Sequence, residues 1–93
     1  MDFEEVQTRV QGVLKRVDAG EVALIVLEDQ GDVIHYATAD GWRFVVFIDA
    51  GEWDYFEGII TPEGESFDYD GVQAHLPGLI WYEPTNRHAW GVL

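Results

Sequence analysis

Asp40-Gly41-Trp42-Arg43-Phe44-Val45-Val46-Phe47-Ile48-Asp49 is the stretch on which the fold turns. Asp-Gly readily takes the positive φ values of a tight hairpin turn. The residues after it, 42–48, are aromatic, β-branched and almost continuously apolar, which predicts a strand near the centre of a sheet. Working outward, residues 32–38 predict the strand before this turn, and residues 21–28 another beyond Asp29-Gln30-Gly31. Downstream, the short loop Asp49-Ala50-Gly51-Glu52 leads into a strand over 53–60. Thr61-Pro62-Glu63-Gly64 is a turn with Pro where φ is already set, and residues 65–70 are extended. Residues 71–78 are too short and too broken by Pro77 to assign a helix there. Residues 79–82 predict an edge strand that Pro84 ends. Because most strands are joined by links of two to four residues, the sheet is expected to be an antiparallel meander of about five strands.

Before the first strand the period changes. Phe3, Val6, Val10, Val13, Leu14 and Val17 recur at steps of mostly three and four, the apolar stripe of an amphipathic helix. Asp2, Glu4 and Glu5 stand at its start and Lys15 and Arg16 near its end, as the helix dipole favours, and Gly20 supplies a stop. One N-terminal helix packed on one face of a meander makes a two-layer α+β domain. The 93 residues suffice for a single domain, and their 47% hydrophobic and 14% aromatic content is too apolar for a disordered acidic tail. With no Cys there is no disulfide, thiolate nucleophile or cysteine zinc site. The N-terminus has no basic and apolar secretory signal, and the longest aliphatic run, 22–27, falls far short of the ~20 residues of a spanning helix. A cytoplasmic protein without membrane contact is expected.

The charge is strongly lopsided. Five Lys/Arg stand against 18 Asp/Glu, a formal net charge of −13. Residues 1–16 hold three acids and three bases, whereas residues 28–70 hold 12 acids and one base, Arg43. Such a field repels nucleic acid and anionic membrane and attracts basic surfaces. Acidity of this kind also serves solubility alone. The candidate partner-binding carboxylates are Asp49, Glu52, Asp54 and Glu57, then Glu63, Glu65, Asp68 and Asp70. Residues two apart on a strand share a face at about 6.6 Å, so Glu52/Asp54, Glu63/Glu65 and Asp68/Asp70 are expected to form rows of separated charge resembling a phosphate row.

Other chemistry has weaker signals. Residues 49–54 lack the alternating acids, central Gly and distal Glu of an EF-hand loop. His35, His75 and His88 are too scattered for a local zinc pattern, and a pair such as Asp54 and Glu57 has little room for a sugar cleft in a domain of this size. Neither a phosphate-binding Gly-rich loop nor a nucleophile elbow is visible, so no cofactor, metal or catalytic residue is expected. Trp42, Trp53, Trp81 and Trp90, with Tyr36, Tyr55, Tyr69 and Tyr82, lack the basic groove of a base-stacking nucleic-acid binder. They read as core, with one or two as interface anchors.

Residues 40–49, continuing through Asp54-Tyr55 to Pro62-Glu63-Gly64, resemble a family of small uncharacterised Pseudomonas proteins that also begin with a short amphipathic helix. The likeness covers about residues 3–70 and implies no activity. In size and charge the chain is similar to anti-CRISPR DNA mimics and to acidic immunity proteins that block nuclease toxins. The expectation is a non-enzymatic inhibitor, monomeric by preference, that occludes the groove of a basic nucleic-acid-binding protein such as a CRISPR effector complex or a nuclease. A small acidic housekeeping module and an enzyme are the alternatives.

Overall fold

A computed structural model describes residues 2–90, with only the backbone at Arg87 and His88. The helix α1, Phe3–Asp18, begins at Asp2, whose side chain accepts a hydrogen bond from the Glu4 amide at 3.0 Å. Its apolar stripe of Val6, Val10, Val13, Leu14 and Val17 is buried. Gly20 beyond its end has φ +77°, a conformation that favours glycine.

Five strands follow: β1 Ile25–Asp29, β2 Val33–Ala37, β3 Arg43–Asp49, β4 Glu52–Ile60 and β5 Ser66–Asp68. They lie in the order β1-β2-β3-β4-β5 with every neighbouring pair antiparallel, the meander that the short links predict. The predicted central strand is β3, which pairs with β2 on one side and β4 on the other. Its near-continuous apolar run is not buried on both faces, however. Phe44, Val46 and Ile48 are buried, whereas Val45 and Phe47 between them are only half-buried. With Tyr36, Trp53, Phe56, Ile59 and Phe67, these inward residues form one core with the stripe of α1. Among the described residues, the opposite face of the sheet carries no second layer of helix.

Two expectations need correction. Residues 69–75 form a second helix, α2 Tyr69–His75, where the sequence assigned none. The reason is Asp68: its side chain accepts from the Gly71 amide at 2.7 Å, so the chain turns into a helix instead of extending to residue 70. Pro77 does not break this helix, because it lies beyond the end and opens a 3-10 turn, Pro77–Leu79. Residues 79–82 therefore add no edge strand. The amides of Leu79, Ile80 and Tyr82 are satisfied within the turns, by the carbonyls of Leu76, Pro77 and Leu79.

The chain then returns to the core. A second 3-10 turn, Arg87–Trp90, places Trp90 fully buried against Tyr36, Phe44 and Trp53, with ring centroids 5.3, 5.9 and 4.7 Å away. The Tyr36 hydroxyl donates to the Trp90 carbonyl, and burial, with the charge of Asp29, pushes that phenol up to about 12.

Candidate functional site

In a meander each hairpin reverses the chain, so alternate links fall at the same end of the sheet. The β1–β2 and β3–β4 links are therefore neighbours, and the Ile48 amide donates across them to the Asp32 carbonyl at 2.6 Å. Parity thus collects six exposed carboxylates at one end: Glu28, Asp29 and Asp32 from the first link, Asp49, Glu52 and Asp54 from the second. Residues 26–34 and 46–56 contain no Lys or Arg. Arg43 sits at the other end, in register with Ala37 and Ile60.

Beside this acidic end an aromatic line crosses the uncovered face. Val33 pairs with Phe47 and Phe47 with Tyr55. The Phe47 and Tyr55 rings stack at 5.1 Å, and the Tyr55 and Tyr69 rings meet edge-on at 4.7 Å. Desolvation raises the Tyr55 phenol above its ordinary value, and the charges of Glu57 and Asp54 add to that shift. Tyr55 therefore keeps its proton as a donor. Register shifts between Val45/Val46 and Phe47/Ile48 leave Asp54 and Glu57 as the extra residues of β4, which breaks the strict alternation of side chains there.

Of the eight carboxylates expected from sequence, Asp49, Glu52 and Asp54 share this end, with Glu57 further along the same strand. Glu63 and Glu65 do not join them, because the β4–β5 link lies at the opposite end. Glu63 is held there by Arg9 of α1, with contacts of 2.6 and 3.2 Å to its two oxygens, and this hydrogen bonding lowers the Glu63 carboxyl below its ordinary value. Arg9 also lies 5.1 Å above the Trp42 ring. Asp68 and Asp70 form no extended pair: Asp68 caps α2, and Asp70 is exposed in its first turn. Reading the acids strand by strand missed Glu28, Asp29 and Asp32, although the parity of a meander would have placed them.

The remaining candidates have structural employment. His75 stacks on Phe3 at 4.0 Å, and His35 lies in β2 opposite Val45. The side chain of His88 is outside the described residues. No group of three or more His, Asp or Glu able to hold a metal ion occurs among the described residues, and no described helix is long and apolar enough to cross a membrane. Comparisons with protein-family models, curated proteins and solved structures give no match.

Proposed function

We propose that this chain is an acidic, non-enzymatic inhibitor that occupies the basic groove of a nucleic-acid-binding protein in place of a phosphate backbone. The observation that carries this reading is the gathering of six exposed carboxylates at one end of the sheet, with no base in the segments that form it. Crowding like charges costs fold stability and gains none, so a complementary partner accounts for it. The neighbouring line of Val33, Phe47, Tyr55 and Tyr69 adds apolar contact of the kind found at interaction hot spots. The carboxylates steer and align the partner while the rings exclude water. A CRISPR effector complex of the kind that anti-CRISPR proteins block is the leading partner class. A nuclease toxin presents the same chemistry, and in that case the chain is an immunity protein.

The test is a pull-down from host extract at low salt, followed by competition with duplex DNA. The recovered protein should carry a basic groove, release the chain as salt rises, and release it when DNA is added. Asp32→Lys combined with Asp49→Lys should weaken binding by about ten-fold or more, mainly through the association rate. Glu63→Lys, at the other end of the sheet, should change it far less. A partner that holds the doubly reversed variant as tightly as the original, with DNA present, overturns the reading.

A further inference from the structure

A nearly continuous apolar run is the pattern of a strand covered on both faces, and an antiparallel sheet with one face in water is ordinarily polar there. β3 has the first pattern, yet among the described residues no helix covers its second face. The register shows what lies on that face. Val33, Phe47 and Tyr55 form one row across β2, β3 and β4, and His35, Val45 and Gly58 form the next. A third row holds Ala37, Arg43 and Ile60. All of these except Arg43 are half-buried, because neighbouring rows shield one another. The middle row dips at Gly58. A Cβ there would stand 3.4 Å from the Val45 side chain, an ordinary contact, so this chain's own packing leaves room for alanine. The register shift beside it does not require glycine either, since Gly58 lacks a positive φ. Glycine weakens a strand and often marks the close approach of another backbone.

Acids stand around this apolar centre. Glu28 and Asp68, which also caps α2, end the middle row on its two sides through their pairing with His35 and Gly58. Asp49 and Glu52 follow the Phe47 row at the acidic end. Arg43 is the only Lys or Arg in the five strands, and it stands six residues from Asp49, about 20 Å along β3. We infer that this open face seats an amphipathic helix of the partner, its apolar stripe over Val45, Phe47 and Gly58 and its Lys and Arg side chains over Glu28, Asp68 and Asp49. This rests on the reading of the chain as a ligand for a basic protein and names the element by which that protein is held.

The dimensions suit a helix. Strands lie about 4.8 Å apart, so Glu28 on β1 and Asp68 on β5 stand about 10 Å to either side of β3. A helix with its side chains is about 10–12 Å across, so one lying along β3 carries its flanking cations over both acids. About 13 residues span the length from Arg43 to Asp49. The sheet already packs the apolar stripe of α1 in this way on its other face. Charge excludes a second copy as the occupant. Two copies of formal charge −13 would bring like rims together, whereas a basic helix meets each acid with an opposite charge.

Titration of the intact chain with a peptide of about 14 residues, leucine and lysine placed so that the leucines share one helical face, tests this. The control peptide has the same composition in an order without that stripe. In about 0.05 M sodium chloride the amides of Val45, Phe47 and Gly58 should shift with the first peptide, and the control should bind roughly ten-fold more weakly. Phe47→Asn should weaken the first peptide roughly ten-fold. Gly58→Ala keeps the test independent of misfolding: its methyl fits beside Val45, so the melting temperature should hold or rise while the peptide binds roughly three-fold more weakly. Trp81→Ala, which removes a ring 90% exposed outside the strands, should change neither. Equal binding of the two peptides overturns the proposal. So does a folded Phe47→Asn or Gly58→Ala chain that binds as the original does, or a chain that doubles its own mass through Phe47. Failure of the inhibitor reading looks different. A recovered host protein that depends on Phe47 but ignores duplex DNA keeps the helix and removes the nucleic-acid mimic; one that DNA displaces and Phe47→Asn leaves bound keeps the mimic and removes the helix.

Discussion

Asp18 is the residue on which most of the C-terminal packing converges. Its carboxylate accepts from the Tyr82 hydroxyl at 2.6 Å and from the Trp90 indole at 3.3 Å, and it lies 3.5 Å from the amides of Thr85 and Asn86. Its backbone carbonyl accepts from the Asn86 side chain at 3.3 Å. The Tyr82 phenol is raised far above its usual range by burial and by this carboxylate, so it remains a donor. Hydrogen bonds to a charged acceptor are each stronger than neutral ones, and deleting the acceptor strands the donor of buried Trp90 and that of half-buried Tyr82. Asp18→Ala should therefore destabilise the fold by about 2–3 kcal/mol, read as a melting temperature lower by about 10 °C or more. Asp18→Asn, which keeps an acceptor oxygen, should lose less than half of that. Equal losses from the two variants would show that the charge and the deleted oxygen do not separate, and would count against Asp18 as the tie between α1 and Trp90. Sequence reading did not single out Asp18, because its partners lie more than 60 positions away and no local pattern marks them.

At the scale of elements, the acidic end is built by hairpins, and the β3–β4 turn is the tighter of its two. Asp49 pairs with Glu52, so Ala50 and Gly51 form a two-residue turn, with φ +52° and +79°. A turn with positive φ at both central positions follows the twist of the strands and prefers Asn-Gly. Alanine in that region is strained by its Cβ. Ala50→Asn should stabilise the protein by about 0.5–1 kcal/mol in a denaturant titration without changing the charge of the site. A variant less stable than the original would show that the turn does not adopt this form in solution. The same local logic explains what the sequence disclosed. Helix α1 and the five strands were legible because stripe, alternation and turn chemistry agree over residues 3–68. Helix α2 was hidden because a single side-chain bond, Asp68 to the Gly71 amide, outweighs the extended reading of residues 65–70. The acidic end was half legible: the clustering of Asp49, Glu52 and Asp54 in the chain matches their common place at one end of the sheet. Glu28, Asp29 and Asp32 join it only through the pairing of β2 with β3, and Glu63 stands outside it because the β4–β5 link lies at the opposite end of the sheet, where Glu63 pairs with Arg9.

At the scale of the whole molecule, charge is polarised along the strands. The β1–β2 and β3–β4 links carry six exposed acids, whereas Arg9, Arg16 and Asp40 line one depression with Trp42 near the β2–β3 link. The segments that form the acidic end hold six acids and no Lys or Arg, and like charges gathered there repel in the folded chain more than in the unfolded one. Salt screens interactions beyond about 8–10 Å at moderate concentration and so removes much of that repulsion. It screens the surface pair of Arg9 and Glu63 as well, but exposed pairs of this kind contribute little, so the repulsive sum dominates. The melting temperature should therefore rise with added salt, by several degrees between about 0.05 and about 0.5 M. Chloride salts of several monovalent cations should agree, which separates screening from the binding of one ion. Asp32→Asn with Asp49→Asn should raise the low-salt melting temperature and flatten the salt dependence, since these exposed residues stand on neighbouring links. A melting temperature that falls with salt, or a salt dependence that the double variant leaves unchanged, would mean that the carboxylates are dispersed by solvent rather than crowded, and the acidic end would lose the cost that a partner is invoked to explain.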